Sequence, residues 1–447
     1  MRREQPPVIT QIVRFGLPLV VAVFYATAAR GFAYTADAGY AAAEWAQHFL
    51  GTIAAPPPIS QFSPFWSLLT ALGGIMGLEV LLVTKVLSLV FGCFALLALY
   101  LLSVEILDDR ILAFCVSLIV ALDPWLLQAG PSGTAAAALA ALSITALFFM
   151  CRGDFALASL FAGFATLVAL PAVALLASLL FEILAVRRGK GPIKVIAAAG
   201  LVYVVVLLPW FVFAVIKGFP LFPSFRLPGD SLAISWFGML PIGISIALAL
   251  SGAMTVRRSP LVRLLAGGQP TALWIWVVWI VCAGLLFGSD AWLAGLPVLA
   301  LLAVHGLRAI VPALRDKTPN YGFALLFVGV MLVLNQSTFF LWTKGSMAGA
   351  IEDQQEVAAI AQWIKMNVPD VATVESEQPG ALGYFLRTGA QVVPLERTPR
   401  SQFVIVARAE VPGYKEVYRP SSMIDDSSGQ EGGRFALFQR HLEEPKP

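Results

Sequence analysis

Residues 63–78 read SPFWSLLTALGGIMGL, and residues 79–104 continue as EVLLVTKVLSLVFGCFALLALYLLSV. The second run is long and apolar enough to cross a hydrocarbon core as a helix, which takes about 20 residues. The first is apolar but short, and it holds the pair Gly73-Gly74. Whether it crosses fixes the side on which every later loop lies, so this stretch decides the topology.

The rest of the chain matches this reading. It has 447 residues, 58% hydrophobic and only 13% charged, where a soluble domain carries roughly 25% charge. Mean hydropathy is +0.80. The expected spans are 11–30, 79–104, 111–124, 133–151, 155–170, 171–186, 195–216, 231–255, 271–288, 291–307 and 321–343, about eleven in all. Arg2 and Arg3 before the apolar run from Phe15 to Ala29 could open a secretion signal. With so many spans after them they read as the start of an uncleaved first helix.

Basic residues choose the parity. If 63–77 does not cross, Arg187-Arg188-Gly189-Lys190 with Lys194, Arg257-Arg258 with Arg263, and Arg308 with Arg315 and Lys317 all face the cytoplasm, as Arg2 and Arg3 do. If it crosses, every one of these clusters moves outside, against the positive-inside rule. Segment 63–77 is therefore expected to rest on the outer face. Ala169-Leu170-Pro171 reads either as a tight turn or as a kink in one longer helix, and the Arg187 cluster favours the turn.

This topology gathers four pieces outside the membrane: loop 31–62 with its juxtamembrane helix, turn 125–132, loop 217–230, and everything after about residue 345. The polar tail changes character. Val357, Ile360, Ala361 and Ile364 have helical spacing, while Ala372-Thr373-Val374, Phe403-Val404-Ile405-Val406 and Phe435-Ala436-Leu437-Phe438 read as strands. The expected fold is thus an all-α polytopic membrane protein, residues 1–345 with a first outer loop at 31–78, carrying a small extracytoplasmic α/β domain at 346–447.

Several function classes drop out. No basic and aromatic stripe points to nucleic acid. Cys93, Cys115, Cys151 and Cys282 lie in or beside apolar runs and read as ordinary thiols, and His48, His305 and His441 share no metal-ligand spacing. A transporter would need polar groups along a midplane path, and Glu182 is the one charge deep enough to consider.

The candidate site residues are few. Asp37 lies in Tyr34-Thr35-Ala36-Asp37-Ala38-Gly39-Tyr40, just past the first span. A carboxylate at that level can act as a base toward a lipid-borne substrate, or it can be a solvated loop residue. Glu44 lies seven residues on, so a helix over 38–50 puts both acids on similar faces. Such a pair could hold a divalent cation, Mg or Mn, although a surface acid is the plainer reading of Glu44. Lys85 sits just inside its span, where it either snorkels to the headgroups or contacts a phosphate. Lys217 and Arg226 flank Gly218-Phe219-Pro220-Leu221-Phe222-Pro223 on the same face, against positive-inside statistics. Asp123 before Pro124-Trp125 is either a helix-end aspartate or a second site acid.

Taken in order along nearly the whole chain, these features resemble the GT-C superfamily of polyprenyl-phosphate-dependent glycosyltransferases, in particular bacterial relatives of protein O-mannosyltransferases and lipid A aminoarabinose transferases. The carriers are Asp37 with Tyr40, Phe62-Ser63-Pro64-Phe65-Trp66, Lys85-Val86-Leu87-Ser88-Leu89, Ala129-Gly130-Pro131-Ser132-Gly133, and the loop from Lys217 to Pro223. In the tail they are the stretches 357–364 and Gly380-Ala381-Leu382-Gly383-Tyr384-Phe385. The resemblance implies an inverting membrane transferase in the plasma (inner) membrane, with its N-terminus cytoplasmic. It would move a sugar from a polyprenyl-phosphate donor to a glycan, lipid or protein acceptor outside. Asp37 would be the base, and Lys85 with loop 217–230 would contact the donor phosphate. The chain departs from the family pattern at Thr134-Ala135-Ala136, where relatives often carry an acid, and at Leu170-Pro171-Ala172 and Asp290-Ala291-Trp292. These departures raise the rival expectation of a non-catalytic relative that serves as a scaffold or subunit of a membrane assembly.

Overall fold

The computed structural model describes residues 7–29, 34–52, 57, 62–186, 192–223, 236–254, 269–287, 294–314, 321–343, 347–368, 373–386, 391–395, 401–407, 411, 414–420 and 435–440. Arg226 and Asp290 lie outside these residues, as does the Arg187 to Lys190 cluster.

Helices dominate, and a small sheet closes the chain. In order the helices are α1 (Pro7–Ala28), α2 (Asp37–Phe49), α3 (Pro64–Ile75), α4 (Val80–Leu107), α5 (Arg110–Ala121), α6 (Pro124–Ala129), α7 (Ala136–Arg152), α8 (Phe155–Val168), α9 (Ala174–Val186), α10 (Pro192–Lys217), α11 (Trp236–Met254), α12 (Gln269–Phe287), α13 (Leu296–Ile310), α14 (Gly322–Trp342), α15 (Ala348–Asn367) and α16 (Pro379–Leu386). Among the described residues α4, α10 and α14 are long and apolar enough to cross a membrane by length and composition. Shorter apolar stretches of 10–17 residues lie in the other helices, among them Pro18–Ala28 of α1, Leu240–Ser251 of α11 and Ala272–Cys282 of α12. Helix α3 has 12 residues, a rise of about 18 Å that falls well short of a hydrocarbon core. At Ala169 the chain breaks: the residue is extended, and a short 3-10 turn, Leu170–Val173, separates α8 from α9.

Sequence chemistry explains the helix ends. Asp109 caps α5 by accepting from the Ile111 and Leu112 N–H groups, and Asp123 caps α6 by accepting from Trp125 N–H at 2.9 Å. Gly153 ends α7 at φ 80, a conformation that an L side chain resists. Small residues set the distances between helices. Alanine supplies five of the twelve buried residues of α7, and α4 packs against this helix. Gly92 of α4 receives the ring of Phe24 from α1, and Gly163 of α8 receives Val206 from α10. Small residues allow this close approach where lipid supplies no hydrophobic drive between helices.

The tail forms a five-stranded sheet in the order β2-β1-β3-β5-β4. Its strands are β1 (Thr373–Ser376), β2 (Gln391–Pro394), β3 (Phe403–Val406), β4 (Tyr414–Tyr418) and β5 (Ala436–Arg440). Strand β1 pairs in parallel with β2 and β3, while β5 runs antiparallel to β3 and β4. Central β3 is buried on both faces. Phe403 and Ile405 meet α15 and α16, and Val404 and Val406 meet Val411 and Phe438. The core on the helix side also includes Tyr40 and Ala43 of α2, so the sheet and the helical body share a seam.

The tightest helix contact gives a test. A methyl group on Gly306 of α13 would fall inside contact distance of the Leu248 carbonyl oxygen on α11 and 2.8 Å from its carbon. Those are backbone atoms, so no side chain can yield. Gly306→Ala is expected to cost about 1–3 kcal/mol and to lower the thermal unfolding midpoint in detergent. Gly200→Ala, where a Cβ meets nothing within 4 Å, should leave that midpoint alone. Equal midpoints for both variants would contradict this packing.

Candidate active site

Helix α2 carries the two acids. Its expected bounds, 38–50, match the observed Asp37–Phe49 closely, but its surroundings differ from those of a loop helix. Asp37 and Glu44 are each 8% exposed, so neither is a solvated surface acid. Asp37 Oδ1 accepts a 2.7 Å hydrogen bond from the backbone N–H of Ala381, in the first turn of α16. A helix N-terminus is a favourable seat for a carboxylate, because its first N–H groups lack partners within the helix.

Glu44 lies against the same helix, with its carboxyl on Gly383. Its Oε2 makes no hydrogen bond among the described residues. Burial first, and then the charge of Asp37, push the Glu44 pKa up to about 8. Near neutral pH burial thus keeps the proton on Glu44, while Asp37 takes the N–H donor.

Tyr40, one turn after Asp37, completes the seam. Its hydroxyl donates to Gln354 Oε1 at 3.3 Å, and Gln354 Nε2 donates to the Thr35 carbonyl. Its ring packs at 5.3 Å from both Tyr384 and Phe385. Burial raises the Tyr40 pKa, and a hydrogen bond from Thr35 partly offsets this.

The turn at 130–134 presses on the other side of α2. Ala36 N–H donates to Ser132 O at 3.1 Å, and Trp66 Nε1 donates to Gly133 O at 3.0 Å. Gly133 has φ 78. A Cβ there would lie 3.5 Å from Gly39 Cα and 3.6 Å from Lys85 Cγ. Lys85 therefore joins the N-terminal end of α2, and Ser88 one turn later ties α4 to the Ala129 and Thr134 carbonyls at 2.7 and 3.0 Å.

Lys217 sits elsewhere. It is exposed at the end of α10. The following loop places Phe219 5.0 Å from Phe49 and 5.6 Å from His48, beside an aromatic cluster of Trp45, Phe62, Trp210 and Phe213. The two cations flank opposite ends of a 13-residue helix, about 20 Å long. Asp123 is committed to capping α6, the helix-end alternative of the two considered for it. His48 is edge-on to Trp45, not simply solvated.

The donor set does not fit a hard cation. Mg²⁺ or Mn²⁺ completes about six oxygen ligands with waters and substrate phosphates, but it needs its one or two protein carboxylates ionised. Asp37 Oδ1 is engaged by an amide N–H and burial favours neutral Glu44, with no third His, Cys, Asp or Glu grouped with the pair among the described residues.

The raised Glu44 pKa makes stability depend on pH. Below about 4.5 both folded and unfolded states hold this proton. As pH rises from there to about 8 the unfolded state releases it while the folded state keeps it, so stability falls across this window and levels off above it. The effect is on the order of a few kcal/mol. Thermal midpoints measured between roughly pH 5 and 9 should fall for the parent protein and stay flatter for Glu44→Gln. Identical slopes would show that Glu44 titrates normally.

No family model matches this chain, and none of the curated proteins matches it by sequence. Its fold does have solved counterparts. It is similar to the oligosaccharyltransferase of Archaeoglobus fulgidus in the apo form, with TM-score 0.57 and 14% identity over 84% of this chain and 64% of that one. The chain thus spans a little under two thirds of that protein. That protein has also been solved with Zn and sulfate, and the oligosaccharyltransferase AglB of the same organism, with TM-score 0.58 and 13% identity, in complex with an inhibitory peptide and a dolichol-phosphate. ArnT from Cupriavidus metallidurans in the apo state has TM-score 0.55 and 17% identity, covering 87% of this chain and 86% of its own. The arabinofuranosyltransferase AftD from Mycobacteria has TM-score 0.53 and 12% identity, over 96% of this chain and 40% of that one. The chain shares its fold with these solved glycosyltransferases.

Proposed function

We propose that this chain is a membrane glycosyltransferase that moves a sugar from a polyprenyl-phosphate donor to an acceptor hydroxyl outside the cytoplasm. In this reading residues 1–345 cross the plasma membrane about eleven times, with 63–77 resting on the outer face and 346–447 forming an extracytoplasmic domain. The observation that carries it is the setting of Asp37 on a GT-C-like fold. This buried carboxylate is oriented by an amide N–H where the helix after the first span meets the turn at 130–134 and Lys85.

The chemistry follows from that arrangement. Asp37 takes the proton of the acceptor hydroxyl as that oxygen attacks the anomeric carbon. The bond from that carbon to the phosphate oxygen breaks, and its electron pair leaves with the phosphate. Lys85 neutralises the charge that develops there. Neutral Glu44 can donate a hydrogen bond to a substrate hydroxyl. Lys217, about 20 Å along α2 from Asp37, belongs to reception of the lipid beside the aromatic cluster, not to the reacting phosphate. No step here runs through a metal.

A second reading rests on the same bond. The hydrogen bond from Ala381 to Asp37 covers the carboxylate, and Thr134-Ala135-Ala136 offers no second acid. Both features suit a non-catalytic relative that serves as a scaffold.

The two readings part on one experiment. The protein in nanodiscs is given undecaprenyl-phosphate hexose or pentose and a panel of glycan, lipid and peptide acceptors. The transferase reading expects turnover, a loss of about 10²–10⁴-fold in Asp37→Asn, and an unchanged unfolding midpoint. Lys85→Met should lower turnover while Lys217→Met weakens donor binding. Donor binding without turnover on any acceptor would favour the scaffold, and full transfer by Asp37→Asn would remove Asp37 as base.

A further inference from the structure

We propose that α16 is a working part of the acid pair and that Gly383 is the positioning residue that seats the Glu44 carboxyl; this builds on the transferase reading above. Three observations carry it. The Ala381 N–H holds Asp37 at 2.7 Å. Two residues on, a Cβ at Gly383 would lie 2.5 Å from Glu44 Oε2, 2.6 Å from Oε1 and 2.8 Å from Cδ. The Glu44 carboxyl therefore lies on a bare Cα. Finally, Glu44 Oε2 is buried without a hydrogen-bond partner among the described residues.

Backbone conformation gives no reason for a glycine here. Gly383 is absent from the residues with positive φ and lies inside a helix, where glycine costs about 1 kcal/mol against alanine. What its missing side chain does is admit Glu44. One short helix thus sets both acids: the Ala381 N–H in its first turn takes Asp37, and its bare face takes Glu44, whose proton is left to serve a substrate hydroxyl. The titratable groups on the elements packed around α2 are Asp37, Tyr40 and His48 on α2 itself, Tyr384 on α16, Lys85 on α4 with Glu79 before it, and Asp353 on α15. Of these, Asp37 is the one whose charge acts on Glu44.

The test follows the Glu44 carboxyl directly, in the full-length protein in nanodiscs, by pH-difference infrared spectroscopy. The protonated-carboxyl band that vanishes in Glu44→Gln belongs to Glu44. In Gly383→Ala the obstructing atoms are the tip of a flexible side chain, so the helix stays and the carboxyl swings aside. The band's midpoint should fall by about one pH unit or more. The high-pH limb of sugar transfer should move with it. Gly349→Ala, whose Cβ meets nothing within 4 Å, should shift neither. Gly383→Ala should also lower the unfolding midpoint in the parent but not in a Glu44→Ala background. If Gly383→Ala does not fold, that double variant should restore folding, and failure to restore it overturns the proposal. An unmoved infrared midpoint with additive stabilities also overturns it. Loss of transfer in Asp37→Asn beside an unmoved Glu44 band would leave the transferase reading standing and α16 as packing alone. If Asp37→Asn transfers normally, the infrared result still decides the role of α16.

Discussion

The structure depends on how a buried carboxylate is satisfied. Asp37 is almost fully removed from solvent, and a carboxyl in that position is costly unless something replaces its water. The replacement comes from the far end of the chain, 344 residues away, through the Ala381 N–H. The contact does not stand alone. Tyr40 and Ala43 belong to the same core as Val357, Ile360, Leu382 and Phe403, so α2 packs at once into the helical body and the sheet. The tail is therefore part of the candidate site.

That seam explains how the two acids differ although both lie on one helix. Asp37 meets the N–H end of α16, and Glu44 meets its bare Gly383 face with no donor at Oε2. Position along α16 thus gives the two carboxyls unlike partners, an amide N–H for Asp37 and a bare Cα for Glu44. The same helix spaces the cations. Lys85 reaches α2 at the Gly133 turn, whereas the loop after Lys217 meets it at His48 and Phe49. Helix α2 thus separates a charged end from an aromatic one.

Much of the scaffold was legible in the sequence because it follows from local pattern. Apolar runs gave the helices, the spacing of Val357, Ile360 and Ile364 gave the core of α15, and the apolar run 403–406 coincided with β3. Strands β2 and β4 went unread. Gln391–Pro394 is short, and Tyr414–Tyr418 is half-polar along a sheet edge, so neither shows a strong period. The helix that carries the site, Pro379–Leu386, has eight residues, too few for periodicity to reveal. The motif from Gly380 to Phe385 was visible only as a resemblance.

The amino-acid sequence by itself determined that the chain is built of apolar helices with a mixed α/β tail, and it singled out Asp37, Glu44 and Lys85 by residue type and place. Only the tertiary structure decided that both acids are buried, that Asp123 is spent on a helix cap, and that Lys85 and Lys217 stand at opposite ends of α2. The physical reason is range. Hydropathy and helical period act over a few residues, so they can be read along the chain. The charge state of a carboxyl depends on which distant N–H group or bare Cα comes to lie against it.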